Sequence, residues 1–217
     1  HHPAGHEALG VVVGWDGTIF VAGGAEGLLA FREGSPLLQL AARTNADGGH
    51  PIYARAVAVD AANRVFVAHD EELSVYLYAP GAFKLLARTP VMGAATSVTI
   101  DPHGRIYMAC GENGLQVFQF TGSDLYPLAQ VNDGGKVMDV AVTRTGTVFV
   151  ANGMDGLRAY VWSGPSLKTI AHINDGGGDP EWARRLAVGG DNTIFLACGR
   201  EGLRAYRFNG DYFTPTA

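Results

Sequence analysis

Two stretches of the chain place an arginine two positions after an aromatic residue. They read HPIYARAVAV over residues 50–59 and DPEWARRLAV over residues 179–188. Residues two apart on a β-strand point to the same side, so each stretch should present a ring and a guanidinium together. Arginine binds carboxylates and phosphates in a planar, bidentate manner, and Tyr and Trp offer stacking area with a polar tip. The residues predicted to bind an anionic or carbohydrate ligand are Tyr53, Arg55, Trp182 and Arg184.

The same residues also have a purely structural interpretation. Each arginine would form an ion pair with a neighbouring loop carboxylate, a common and weak surface interaction. Each aromatic ring would then pack only against its own long loop. The sequence leaves both interpretations open.

Several loop side chains have the chemistry of proton transfer or metal binding, because histidine and carboxylates serve as acids, bases and ligands. These are His6, Glu7, His50, His69, Asp70 and Asp139. None of them has the spacing of a metal-ligand motif, and no serine lies in a nucleophile turn. We therefore favour a non-catalytic protein with no metal and no cofactor. The alternative is a hydrolase or lyase, metal-assisted or not, that uses His6, Glu7 and Asp139.

One further set of polar residues recurs in every copy of a sequence repeat. Its members are Glu26, Glu71, Asn113, Asp155 and Glu201. Because such side chains commonly accept hydrogen bonds from nearby backbone N–H groups, we expect them to stabilise turns. Asp-Gly-Gly at 47–49, 133–135 and 175–177 has the same interpretation.

The loops separate short apolar segments in a unit that occurs five times. The aromatic anchors of the units, spaced by 46, 41, 42 and 46 residues, are Phe20, Phe66, Tyr107, Phe149 and Phe195. Each unit has four segments rich in β-branched and aromatic residues, with turns between them and no helical periodicity. Four strands in a unit of about 42 residues are typical of a propeller blade. The sequence predicts an all-β, five-bladed β-propeller with four antiparallel strands per blade; a sandwich of internal repeats is the alternative.

We expect a single domain over residues 1–217. Its blades would cover approximately residues 5–50, 51–94, 95–136, 137–180 and 181–217. The two cysteines, Cys110 and Cys198, belong to units three and five, which are not neighbours. A disulfide requires Cα atoms within about 7 Å, so we expect two buried thiols.

The clearest repeats read VFVANGMDGLRAYVWSG (148–164) and IFLACGREGLRAYRFNG (194–210). A small-residue second strand followed by Gly-Leu-x-[Ala/Val]-[Tyr/Phe] resembles the LVIVD-repeat propeller family over essentially the whole chain. The resemblance implies the fold, and it implies a bacterial protein that is extracellular or periplasmic. It implies no activity, because the matching residues belong to the scaffold. The family's Asp-Val-Ser-Asp-Pro after the third strand is absent here.

The composition of the chain argues against some classes of binding partner. The net charge is −5 and the chain has no run of Lys or Arg, which argues against nucleic acid. No apolar stretch reaches the roughly 18 residues of a membrane span, so we expect no membrane insertion. We predict a ligand-binding or protein-interaction propeller with a pocket at the central channel mouth. Its partner would be a small anionic or carbohydrate ligand, or a protein.

Overall fold

The apolar segments of each repeat form a sheet of their own. The computed structural model describes residues 7–35, 37–47, 50–174 and 183–216. Within these residues lie five sheets of four antiparallel strands, which confirms the predicted all-β, five-bladed propeller fold. They also contain one two-stranded ribbon and one 3₁₀ turn, Gly199–Glu201, but no α-helix. None of the described segments forms a helix long and apolar enough to cross a membrane.

The chain divides into two compact units, residues 1–98 with 120–125 and residues 99–119 with 126–217. The first sheet consists of β1 (Gly10–Val13), β2 (Ile19–Ala22), β3 (Leu28–Arg32) and β4 (Gln39–Thr44). The ribbon pairs β5 (Ala46–Asp47) with β6 (His50–Pro51). The second sheet consists of β7 (Ala54–Val59), β8 (Arg64–His69), β9 (Glu72–Ala79) and β10 (Ala82–Pro90).

The other three sheets follow the same strand order. The third contains β11 (Ser97–Ile100), β12 (Arg105–Ala109), β13 (Leu115–Phe120) and β14 (Leu125–Val131). The fourth contains β15 (Asp139–Val142), β16 (Val148–Ala151), β17 (Leu157–Ser163) and β18 (Ser166–Ile173). The fifth contains β19 (Arg185–Val188), β20 (Thr193–Ala197), β21 (Leu203–Phe208) and β22 (Phe213–Pro215).

Consecutive sheets within a unit pack through two distinct faces. The forward face of a sheet is the side that carries Phe20, Ala22, Leu28 and Ala30 in the first sheet. The back face is the opposite side, which carries Val57, Val65 and Val67 in the second sheet. These two sets of residues form one buried cluster in the first unit. In the second unit the forward face of the third sheet packs on the back face of the fourth. The fourth packs on the fifth in the same way.

Both cysteines are buried thiols, as predicted. Burial raises the pKa of the Cys110 thiol to about 12. Because the thiolate is the reactive form, DTNB at pH 8 should leave the native protein unlabelled and modify two thiols per chain in denaturant. A Ser123→Cys variant is the control, since Ser123 is exposed and should react at once. Rapid labelling of the native wild type would contradict the buried position.

Candidate functional site

A backbone bridge between the first two sheets positions the candidate site. Gly24, in the β2–β3 loop, and Ala54, the first residue of β7, exchange two N–H···O bonds of 3.0 Å each. Gly24 has a φ of 56°, a conformation that glycine adopts without strain. A Cβ at this position would lie 2.7 Å from Glu7 Oε2 and 3.4 Å from Tyr53 Cζ. The bare backbone therefore lets both side chains lie against the loop.

Tyr53 and Glu7 form the first donor–acceptor pair of the site. The Tyr53 hydroxyl donates a hydrogen bond to Glu7 Oε2. This bond raises the pKa of the Tyr53 phenol above its ordinary value. Glu7, a catalytic candidate in the sequence, is thus a hydrogen-bond acceptor on the exposed surface.

Arg55 and Asp70 form the second pair. The pairing of β7 with β8 shifts between Ala54 and Ala56, so Arg55 occupies a β-bulge, which turns its side chain away from the regular alternation. Its Nε and Nη2 donate to Asp70 Oδ1 at 3.1 and 3.0 Å. The guanidinium carbon lies 4.9 Å from the centre of the Tyr53 ring. The structure therefore brings Tyr53 and Arg55 together, and it gives Arg55 the loop carboxylate of the structural interpretation.

Asp70 departs from the repeat in its backbone as well. Its place is taken by a glycine in the other sheets: Gly24, Gly111, Gly153 and Gly199. Asp70 nevertheless has a φ of 26°, in the left-handed region that costs a non-glycine residue about 1 to 2 kcal/mol. Such strain is concentrated at functional sites. An aspartate at a position that is glycine in the other repeats is the feature of the sequence that marks Asp70 as the partner of Arg55. From the sequence, Asp70 was a candidate only for proton transfer or metal binding.

The other predicted residues either have local contacts in the second unit or lie outside the described residues. Asp139 accepts bonds from the backbone N–H groups of Val140 (3.0 Å) and Leu186 (2.9 Å), so its carboxylate joins β15 to β19. Arg184 lies in the second unit, is exposed, and donates its backbone N–H to Ala197 O at 3.0 Å. His6, Trp182 and the side chain of His50 lie outside the described residues.

His69 is buried and lies 2.8 Å, Nε2 to Oγ, from the buried Ser74. It is therefore part of the interior of the second sheet and not of the exposed site. No group of three or more His, Cys, Asp or Glu side chains in the described part of the chain is arranged to hold a metal ion.

The recurrent acidic loop residues form ion pairs next to their own turns. Glu26 Oε2 accepts a bond from Arg43 Nη1 at 2.9 Å. Asp155 accepts bonds from Arg158, and this contact raises the pKa of the Arg158 guanidinium. Glu201 lies 3.7 Å from Arg204. The partners of these three residues are therefore arginine side chains and not the backbone N–H groups that the sequence predicted, so a role in stabilising the turns stays a prediction.

The fold and the site together define a β-propeller of the five-bladed class with polar loops at its sheet junctions. No protein-family model matches the sequence, and no curated protein matches it. Among solved structures, it is similar to the crystal structure of a protein of unknown function from Bacteroides caccae. The two share 12% sequence identity and a TM-score of 0.69, over 98% of this chain and 82% of that one. At this identity the likeness shows the fold alone.

Proposed function

We propose that the protein is a non-catalytic binding propeller whose site, Glu7, Tyr53, Arg55 and Asp70, binds a neutral, hydroxyl-rich ligand such as a sugar. The observation that carries the proposal is the presence of two donor–acceptor pairs side by side on an exposed surface. A hydroxyl group both donates and accepts, so neighbouring hydroxyls satisfy a guanidinium and a carboxylate at once. The Tyr53 ring adds apolar area next to them.

The charges favour a neutral ligand over an anionic one. The single positive charge of Arg55 is balanced by Asp70 at 3.0 Å, and Glu7 adds a second carboxylate. An anion at this site would be placed beside two like charges, which is unfavourable. Among the described residues the guanidinium bonds to Asp70 through Nε and Nη2, and Nη1 remains to donate to a ligand.

No observation favours the alternative of a hydrolase or lyase. That mechanism relied on His6, Glu7 and Asp139, and the Asp139 carboxylate already caps two backbone N–H groups. We also propose, on the wording of the repeats, that the chain is an LVIVD-like propeller. The same resemblance supports an extracellular or periplasmic location in a bacterium, and five tandem units with no linker between them support a single domain over residues 1–217.

Titration calorimetry against a panel of neutral sugars and uronates tests the proposal. A neutral sugar should bind, and Arg55→Ala should weaken it at least about tenfold, because a lost hydrogen bond to a charged group costs about 1.5 to 3 kcal/mol. Asp70→Asn should weaken the neutral sugar and improve the binding of a uronate, since the site loses a negative charge.

Arg32→Ala is the matched control. Arg32 forms a comparable exposed ion pair with Asp16, 2.9 Å apart, at the opposite end of the β2–β3 hairpin. Its loss should leave sugar affinity unchanged. Equal binding by wild type and Arg55→Ala, or a panel in which only anions bind, would refute the proposal.

A further inference from the structure

Three Asn-Gly pairs occur in the chain, at residues 113–114, 152–153 and 209–210. In such a pair the glycine nitrogen can attack the asparagine Cγ, because glycine has no side chain to block the approach and adopts many backbone conformations. The attack closes a succinimide ring and releases ammonia. It requires a glycine N–H group that is not held by an acceptor and a backbone that can rotate. The three pairs differ in both respects.

The pair at 113–114 is held by a hydrogen bond and by close packing. The Gly114 N–H donates to Gly111 O at 3.1 Å, so this bond must break before the nitrogen can attack. A Cβ on Gly114 would lie 2.1 Å from Val131 O, so the backbone has little room to rotate. Gly114 is buried although Asn113 is exposed. Exposure of the asparagine is therefore not enough to make the pair reactive.

The pair at 152–153 is held at both of its reacting groups. The Gly153 N–H donates to Ala183 O at 3.2 Å, within the bridge between the β16–β17 loop and the segment before β19. The buried Asn152 amide donates through Nδ2 to Gly134 O at 2.7 Å and to Asp155 Oδ2 at 2.8 Å. Neither the attacking nitrogen nor the leaving group is free to move, so we expect this pair to be unreactive in the folded chain.

The pair at 209–210 lies in the turn between β21 and β22 and has neither constraint. Gly210 donates its N–H to no residue that the structure describes. A Cβ at this position would meet nothing within 4 Å. The same space is open in the corresponding turns of the second, third and fourth sheets, at Gly81, Gly122 and Gly164. The open position is thus a property of the turn itself and does not depend on what packs beside the fifth sheet.

The side chain of Asn209 is arranged for the same reaction. Its Oδ1 accepts the N–H groups of Asp211 at 3.2 Å and Tyr212 at 3.0 Å. Attack at Cγ moves negative charge onto Oδ1, and donors that already point at this oxygen stabilise the charge as it develops. We propose that Asn209 is a site of spontaneous deamidation, which proceeds through a succinimide formed with Gly210.

Water is the only co-reactant that this conversion needs. The Gly210 nitrogen loses its proton to solvent as its bond to Asn209 Cγ forms, and the Cγ–Nδ2 bond breaks to release ammonia. Water then opens the ring at either carbonyl. Opening at Cγ gives aspartate, and opening at the main-chain carbonyl gives isoaspartate, in which the chain continues through the former side chain. Either product adds a negative charge to the turn.

Peptide mass spectrometry of the folded chain, sampled during incubation at mildly alkaline pH, measures the reaction. The peptide that contains Asn209 should gain the mass of an amide converted to a carboxyl, and it should contain both aspartate and isoaspartate. It should react at least about tenfold faster than the other two pairs, which must first break a buried hydrogen bond. In denaturant the three pairs should react at similar rates, because these bonds are lost.

Gly210→Ala tests the attacking nitrogen. The added methyl group shields it, so this variant should slow deamidation of Asn209 at least about tenfold. Gly164→Ala, at the corresponding turn of the fourth sheet, is the matched control and should leave the rate at Asn209 unchanged. Equal rates for the three pairs in the folded chain, or faster reaction at 113–114 or 152–153, would overturn the inference. No conversion at Asn209, a product without isoaspartate, or a rate unaffected by Gly210→Ala would overturn it as well.

Discussion

Replacement of Gly27 by alanine is expected to lower the free energy of unfolding by about 3 kcal/mol or more. Gly27, in the β2–β3 loop, has a φ of 77°. A Cβ there would lie 2.2 Å from Thr44 O and 2.6 Å from Asn45 Cα. Both are backbone atoms, so the loop itself must shift, and the Gly27 N–H bond to Gly24 O (3.0 Å) would be strained. Urea denaturation followed by tryptophan fluorescence measures the loss.

Gly81→Ala is the control for this variant. Gly81 also has a positive φ, 91°, but an added Cβ would meet nothing within 4 Å. Gly81→Ala should therefore lower the free energy of unfolding only by the cost of a left-handed backbone at a non-glycine residue, about 1 to 2 kcal/mol. Gly114→Ala, where a Cβ would lie 2.1 Å from Val131 O, should repeat the large effect in the second unit. Equal losses for Gly27→Ala and Gly81→Ala would contradict the close backbone approach.

The second large effect is expected at Asp101, which is buried at the β11–β12 turn. Its Oδ1 accepts the N–H groups of His103 (2.8 Å) and Arg105 (2.9 Å), and its Oδ2 accepts the Tyr107 hydroxyl (2.9 Å). That hydroxyl in turn accepts a bond from Trp162 Nε1 at 2.7 Å. Asp101→Ala leaves the turn and a buried hydroxyl without their acceptor, and we expect a loss of about 3 kcal/mol in urea denaturation.

The second sheet supplies a matched comparison in Asp60. Its Oδ1 accepts the N–H groups of Ala62 (2.9 Å) and Arg64 (3.0 Å), the same turn as at Asp101, and its Oδ2 accepts the partly exposed Arg64 Nε (2.6 Å). The position of Tyr107 is occupied there by Phe66, which has no hydroxyl group that could lose its hydrogen-bond acceptor. Asp60→Ala should therefore cost about 1 to 2 kcal/mol. Equal losses at the two aspartates would show that the tyrosine bond adds nothing.

The strands and their grouping could be predicted because they depend on local pattern. Four β-rich segments per repeat, joined by short turns, leave few pairings other than an antiparallel sheet of consecutive strands. The same pattern gives Phe195 the repeat position of Phe20 and Phe149. Phe195 is nevertheless 40% exposed whereas Phe20 and Phe149 are buried, a difference that the repeat pattern does not predict.

The candidate site was predicted in part. The sequence predicted Tyr53 and Arg55 together on the basis of strand alternation, and the structure has them in contact although Tyr53 precedes β7 and Arg55 lies in its bulge. The bulge at Arg55 and the left-handed backbone of Asp70 set the ion pair, and both are three-dimensional features that spacing alone does not reveal. Asp139 was a catalytic candidate in the sequence for a similar reason. The sequence does not distinguish a carboxylate that accepts bonds from backbone N–H groups, as Asp139 does, from one that is available for chemistry.

The bridge between Gly24 and Ala54 also bears on how such a protein diversifies. Equivalent two-bond bridges join Gly111 to Val137 and Gly153 to Ala183, so main-chain hydrogen bonds add to the side-chain packing between these neighbouring sheets. The side chain just before the bridged residue takes no part in these main-chain bonds, and it differs between the repeats, as Tyr53 before Ala54 and Lys136 before Val137 illustrate. The junctions therefore combine a main-chain bridge that recurs between sheets with a preceding side chain that differs from one repeat to the next.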